Sequence, residues 1–428
     1  MTGALVGATP SFMSSKPRLL ASIAVLLLIV VLWVAMAEVA QAMQSGCGQG
    51  DNKPYHKPYA VTFVIHVGYT LCLVVAVAWT AVEHLLERRQ RRGSAVNEAA
   101  PAAVNWKAWQ WILLKCALLG LYTNLIGYTY YRSLPLISVS ANVAIYNSAG
   151  AFVYVFTLLL RMERFNWLKV LALAISVGGV CLVQFLSTPL AAMPCPGDDP
   201  TPTPAAVSGA TEGYVLVVIS TITYASYEVI YKRWLPPSVY RAASVPLGAA
   251  AAAAAAAAED ESDEQTSLLP VNHTDSSGKK APEANANASM WSDVKFSFMT
   301  LGLIGLFHSV LNWPGLLILD ATGVETFEFP EARAGESLMV TMVMDSAFNV
   351  LLLIGIALTS PLFISVGSLL TIPASILSDW LVHGRVMDGG ALGGVAMIAV
   401  GFLLLTFAER REHKQLAAAA EATTSKVA

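Results

Sequence analysis

Charge is scarce in this chain. Charged residues fill 13 % of 428 positions, where a water-soluble domain carries about 25 %. The net charge is −3, so no basic surface is offered to a nucleic acid. Cysteine is sparse too; five residues are too few for a disulfide scaffold. There is no Gly-Lys-Ser/Thr phosphate loop, no His-Glu-x-x-His zinc pair and no serine elbow. The sequence therefore points away from an enzyme and calls for no metal and no cofactor.

Apolar length is abundant instead. Hydrophobic residues reach 55 %, and a bilayer crossing needs roughly 20 of them in a row. Candidate crossings run Leu19–Met43, Pro58–His84, Trp106–Ser133, Ser138–Leu160 and Trp167–Leu186, then Gly213–Trp234, Phe296–Leu319, Leu338–Leu358, Pro361–Trp380 and Gly389–Phe407. Lipid offers no partner to a bare backbone amide, so each is expected to be a helix. The expectation is an all-α membrane protein with ten transmembrane helices. The first crossing imitates a signal peptide, with Lys16 and Arg18 before it and Ala35-Met36-Ala37 inside it. Its apolar run exceeds the roughly 7–15 residues of a signal core, so it reads as an uncleaved first helix.

Basic residues orient the chain. With the N-terminus in the cytosol, the cytosolic segments hold most of them, Arg88, Arg89, Arg91, Arg92, Arg161, Lys232, Arg410 and Arg411 included. The opposite side keeps Lys53, Lys57, Arg132, Arg333 and Arg385. Both termini are thus expected in the cytosol. The layout is a cytosolic N-terminus (1–18), a first five-helix repeat (19–186), a non-cytosolic loop (187–212), a second five-helix repeat (213–407) and a cytosolic tail (408–428). The second repeat is interrupted by a loop at 235–293. That loop carries the alanine tract Ala249–Ala258 and the acidic run after it, so it reads as disordered and cytosolic.

The halves echo one another. Pro135-Leu136-Ile137-Ser138 opens the fourth crossing and Pro361-Leu362-Phe363-Ile364-Ser365 the ninth. Ile175-Ser176-Val177-Gly178 in the fifth matches Ile398-Ala399-Val400-Gly401 in the tenth. Five is odd, so the second copy enters the membrane upside down, as in inverted-repeat carriers. Within the long loop, Glu264-Gln265-Thr266-Ser267-Leu268-Leu269 has the form of an acidic dileucine sorting signal. Glu264, Leu268 and Leu269 would be read by coat adaptors that deliver a protein to a vacuole or lysosome. The sequons at Asn272 and Asn287 fall on the same cytosolic loop and are expected bare. Cys47 and Cys195 share the non-cytosolic side, where a disulfide or two free thiols are both compatible with the sequence.

Several longer motifs carry a resemblance. They are Leu32-Trp33-Val34-Ala35-Met36-Ala37-Glu38, Lys57-Pro58-Tyr59-Ala60-Val61-Thr62-Phe63, Trp313-Pro314-Gly315, Thr322-Gly323-Val324-Glu325-Thr326-Phe327-Glu328-Phe329-Pro330, and Leu358-Thr359-Ser360-Pro361 followed by Leu370-Thr371-Ile372-Pro373. Together they resemble the F subfamily of solute carrier family 35, in the drug/metabolite transporter superfamily, fungal vacuolar-membrane proteins linked to thiamine included. The resemblance implies a ten-helix carrier in an internal membrane and leaves the cargo open between nucleotide sugars and thiamine-like compounds. Asn349 departs from the acidic residue that part of the subfamily carries in the eighth crossing, and Asp345 sits one turn earlier.

Polar groups inside lipid are costly and mark pathways. Glu38 lies towards the non-cytosolic end of the first crossing. Glu228 and Lys232 stack four apart in the sixth, where a pair snorkelling at the membrane edge competes with a cationic gate. Tyr227 and its neighbours Tyr224 and Tyr231 border them. His308 and Asn312 in the seventh repeat that spacing, as do Asp345 and Asn349 in the eighth, and two polar pairs at similar depth suit a midplane site. Tyr128, Tyr146 and Asn147 add weaker candidates, since such residues also glue helices together. Lys115 either snorkels or neutralises an anion. The leading expectation is a secondary transporter of a small polar organic solute, working by alternating access around a cavity lined by crossings one, three, four, six, seven, eight and nine. The rival is a membrane scaffold or sensor that recruits cytosolic partners through its long loop.

Overall fold

A computed structural model describes residues 16–45, 55–91, 106–134, 145–163, 165–186, 204–236, 281–358, 367–374 and 389–427, with a few single positions between them. Helices account for nearly all of these residues. They are α1 (Lys16–Ser45), α2 (Pro58–Val67), α3 (Thr70–Arg91), α4 (Trp106–Ser133), α5 (Ala149–Leu159), α6 (Trp167–Leu186), α7 (Pro204–Trp234), α8 (Ala281–Thr322), α9 (Ala332–Leu358) and α10 (Gly389–Val427), with a short 3₁₀ turn at Ser368–Leu370. No strand occurs among the described residues. The chain is an α-helical membrane protein. Six stretches are long and apolar enough to cross a bilayer: Ile23–Ala40, Pro58–Leu86, Trp106–Ser133, Thr211–Trp234, Trp291–Thr322 and Ala332–Ile356. Ile145–Leu159, Trp167–Leu182 and Leu392–Ala408 are shorter apolar helices. The described helices do not by themselves establish ten crossings.

The surface fits lipid. Leu27, Leu28, Val31, Val74, Val77, Leu317, Leu403 and Phe407 all stand exposed, far more apolar side chain than a soluble monomer displays in one patch. Trp106, Trp167 and Trp291 are exposed near the starts of three apolar stretches, where an aromatic belt meets the headgroups. Charged contacts sort to the two ends of the bundle. One end holds Lys295 paired with Glu83 and Lys169 with Glu163 and Glu412. The other holds Lys57 with Glu328 and Arg132 with Glu212.

Three features differ from the sequence reading. First, α8 begins at Ala281, inside the segment 235–293, because Ala281, Ala284, Ala286 and Ala288 favour helix. Second, α10 continues to Val427, past the apolar stretch, where fraying is the sequence expectation. Third, the crossing that begins at Pro58 is broken. The N–H groups of Gly68, Tyr69, Leu71 and Cys72 each bond three residues back, to Ile65, His66, Gly68 and Tyr69 (2.9–3.2 Å). This tight pitch marks a hinge or a site inside a helix. It is moulded by α8: a Cβ on Gly305 would lie 2.6 Å from the amide nitrogen of Thr70. Only glycine lets the α8 backbone approach the break so closely.

The principal packing pairs are α1 with α9, α4 with α7, α3 with α8, α6 with α10, α4 with α8, α2 with α9, α2 with α4, α8 with α9, and α5 with α7. Segments 1–15, 46–54 and 237–280 lie outside the described residues. So do the dileucine residues Glu264, Leu268 and Leu269, the sequon at Asn272, Cys47 and Cys195, whereas the sequon at Asn287 falls within α8.

Candidate functional site

The break in the second crossing sets the site. It turns Tyr69 inward, and the phenol donates to Oδ2 of Asp345 at 2.7 Å. Asp345 is 7 % exposed. Its side chain also bonds that of Asn349, whose amide donates to the Asp345 carbonyl at 2.9 Å. Both partners are neutral. No ion pair reaches Asp345 among the described residues.

Asp345 opens onto a cavity of about 60 Å³. Phe348 and Asn349 share its α9 wall, and Trp33 and Met36 face it from α1. His66 and Tyr69 come from the broken crossing; Thr123, Ile126, Gly127, Tyr130 and Tyr131 come from α4. Tyr146, just before α5, and Tyr224 and Tyr227 from α7 complete it. The rings form one connected set. Trp33 stacks on Tyr146 (centroids 5.4 Å, 11° between planes) and tilts against Phe348 (5.1 Å). Tyr146 also meets Tyr130 (4.9 Å) and Tyr224 (5.0 Å). Such contacts hold an aromatic wall in a defined shape.

The expected site residues divide. Tyr146, Tyr227, Asp345 and Asn349 line the cavity. His308 stands behind the wall, edge-on to His66 at 4.9 Å, with Nδ1 within 3.1 Å of the Gly120 carbonyl. Asn312 serves the same seam, donating to Gly120 O (3.2 Å) and His308 O (3.1 Å). Glu228 is fully buried and hydrogen-bonded to Tyr224, one layer outside the cavity. Lys232 does not gate the cavity: its ammonium donates to the Ile356 carbonyl. Lys115 likewise caps the Trp234 carbonyl at 2.8 Å. Asn147 accepts from Thr371 (3.3 Å), Tyr128 packs against Tyr59 (6.0 Å), and Glu38 is half-buried away from the cavity. Among the described residues the second crossing lines the cavity and the seventh does not, while half of the ninth lies outside those residues.

Trp33, His66, Tyr69, Tyr130 and Phe348 were not among the expected site residues. Sequence carried one usable signal, the Gly68-Tyr69 step inside an apolar run, which permits a broken helix at a midplane site. The aromatic residues gave none, because lipid-facing and cavity-facing rings look alike until helix rotation is known.

At one end of the bundle the separated motifs meet. Glu325 accepts the backbone N–H groups of Tyr59 (3.0 Å) and Ala60 (2.9 Å), capping the start of α2. Lys57 donates to Thr326 at 2.7 Å, and the Tyr55 phenol donates to the Glu328 carbonyl at 2.9 Å. Burial, with Glu325 and Glu328 nearby, pushes the Tyr55 phenol up to about 12, so it stays a donor at neutral pH. Gly315 leaves room for the Tyr59 hydroxyl, which donates to Asn312 O at 2.7 Å. Replacing Glu325 with Ala strips two donors of a charged acceptor, so about 1–2 kcal/mol of stability is expected to vanish. Thermal unfolding of detergent-purified protein reads this; an unchanged midpoint contradicts the clamp.

No family model matches the chain. Curated proteins do. An uncharacterised vacuolar membrane protein of Saccharomyces cerevisiae is 30 % identical over 117 residues, 26 % of this chain and 29 % of its own length. The thiamine-repressible mitochondrial transport protein of the same yeast is 32 % identical over 108 residues, 25 % of this chain and 29 % of its own. Solute carrier family 35 member F5 of Macaca fascicularis is 31 % identical over 109 residues, 25 % of each chain. Over about a quarter of its length the chain is similar to members of solute carrier family 35. The aligned stretch spans under a third of each relative. These relatives are named as membrane, transport or solute-carrier proteins.

Proposed function

We propose that this chain is a secondary transporter that carries a small polar organic solute, nucleotide-sugar- or thiamine-like, across an endomembrane by alternating access. The observation that carries the reading is the cavity with a buried carboxylate, walled by helices from both halves of the chain.

What supports two inverted halves is the packing. Number the crossings in order and exchange one with six, two with seven, three with eight, four with nine and five with ten. The α1–α9 pair then becomes α7–α4, and α4–α8 becomes α9–α2. The α2–α4 pair becomes α8–α9, and the α5–α7 contact becomes that of the Ser368–Leu370 turn with α1. The pairs that map onto themselves, α3–α8 and α6–α10, run antiparallel, as inverted copies must. Between α6 and α10 the exchange reaches single atoms. A Cβ on Gly179 would meet Gly394 O (2.7 Å) and Ile398 N (2.9 Å); one on Gly401 would meet Ala172 O (2.7 Å) and Ser176 N (2.9 Å). This register pairs Gly179 with Gly401, one residue away from the match of Gly178 with Gly401 read in the sequence.

In this reading Asp345 is the binding and coupling group. Both termini and the 235–293 loop lie in the cytosol, and Leu268 and Leu269 serve vacuolar sorting through coat adaptors. The test is uptake by purified protein in liposomes, screened across thiamine, nucleotide sugars and basic metabolites. Accumulation above protein-free vesicles for at least one class is expected; none for any class sinks the proposal.

A further inference from the structure

The cavity bears a net character that narrows its ligand. Asp345 is buried and hydrogen-bonded only by neutral partners, Tyr69 and Asn349. A desolvated carboxylate without a positive partner is costly to keep. Among the described residues no lysine or arginine lines the cavity. Lys232 and Lys115, two lysines on the helices that supply most of the tyrosines, donate to backbone carbonyls. The second acid near the wall, Glu228, stands behind Tyr224. Around Asp345 the wall is aromatic, with Trp33, Tyr130, Tyr146 and Phe348 in mutual contact. Aromatic faces attract weakly hydrated cations, and more strongly when water is excluded. The indole Nε1 of Trp33 is buried without an acceptor, which leaves a donor for a hydroxyl or ring nitrogen on the same ligand.

From this geometry we infer that the cavity is a site for an organic cation whose charge is quaternary or delocalised, and that it rejects nucleotide anions. The cation supplies the positive partner that Asp345 lacks, and the rings replace its water. A nucleotide diphosphate would bring its own negative charges against Asp345, with no lysine or arginine in the wall to receive them. The inference deepens the transporter reading by naming the charge class of the cargo. Only its uptake arm rests on that reading.

The experiment measures ligand-induced shifts in unfolding temperature of the full chain in detergent at neutral pH. Three probes are used: choline, its uncharged carbon isostere 3,3-dimethylbutan-1-ol, and uridine diphosphate glucose. Choline is expected to raise the unfolding temperature by several degrees at saturation, and the other two to leave it in place. Asp345→Asn is expected to lose the choline shift and Asp345→Glu to retain most of it, with both variants eluting as folded protein. Trp33→Leu is expected to weaken the choline response at least tenfold in midpoint concentration. Equal shifts with the uncharged isostere overturn the inference. So does a shift with the nucleotide sugar alone, a full choline shift in Asp345→Asn, or no shift with any probe. The liposome arm separates the two readings. A choline shift with no uptake of any solute removes the transporter and leaves the cation site. Uptake of a nucleotide sugar with no choline shift does the reverse.

Discussion

Uptake by reconstituted protein is expected to fall about a hundredfold when Asp345 becomes asparagine. The exchange keeps the shape of the side chain and one acceptor oxygen for Tyr69 or Asn349, and removes the charge. A desolvated charge pair cut at one partner loses about 2–5 kcal/mol, and each 1.4 kcal/mol is about tenfold. The control is Glu336→Gln on the same helix, exposed and far from the cavity, which is expected to leave uptake within about twofold. Initial rates over a range of solute concentration decide the matter. A loss confined to the apparent affinity assigns Asp345 to binding. A loss at saturation assigns it to the conformational step as well. Unchanged rates remove it from the mechanism.

The second large effect concerns folding. Lys169 is buried with its ammonium 3.0 Å from Glu163 and 2.9 Å from Glu412; its side chain is 4 % exposed. It sits in the first turn of α6, where the helix dipole disfavours a cation. The two acids offset that penalty. Lys169→Met leaves two carboxylates facing each other with no cation between them. Breaking a buried pair costs about 3–5 kcal/mol, enough to deplete the folded protein. The expected outcome is a large drop in the temperature at which half the monodisperse peak is lost on size exclusion. Adding Glu163→Gln and Glu412→Gln to the same chain is expected to restore most of it. Failure of that rescue would show that packing, not charge, holds the corner.

Helix positions were legible because lipid enforces them. Trp106–Ser133 and Trp167–Leu186 end where the apolar runs end, and α9 stops at Leu358 as the sequence suggests. Asp345 and Asn349 were legible as a polar pair four apart. Their neighbours were not, because helix rotation is set by partners that a single crossing does not reveal. The motif Thr322–Pro330 and the motif starting at Lys57 were visible separately. Nothing in either says that Glu325 caps α2 across that distance. Lys232 misled for a related reason: spacing puts it one turn from Glu228, whereas its reach takes it to a carbonyl of another helix. The start of α8 was hidden by composition, since an alanine-rich polar stretch reads equally as linker or helix.

The close approach of α6 and α10, at Gly179 against Gly394 and Ile398 and at Gly401 against Ala172 and Ser176, has a mechanical side. Points on an exchange axis are displaced least when the two halves tilt against each other. In the proposed carrier the seams that map onto themselves, α6–α10 and α3–α8, would then serve as its axle. A covalent tether across the α6–α10 seam would leave turnover intact, and a label fixed there would give a stationary origin from which the travel of every other helix can be measured.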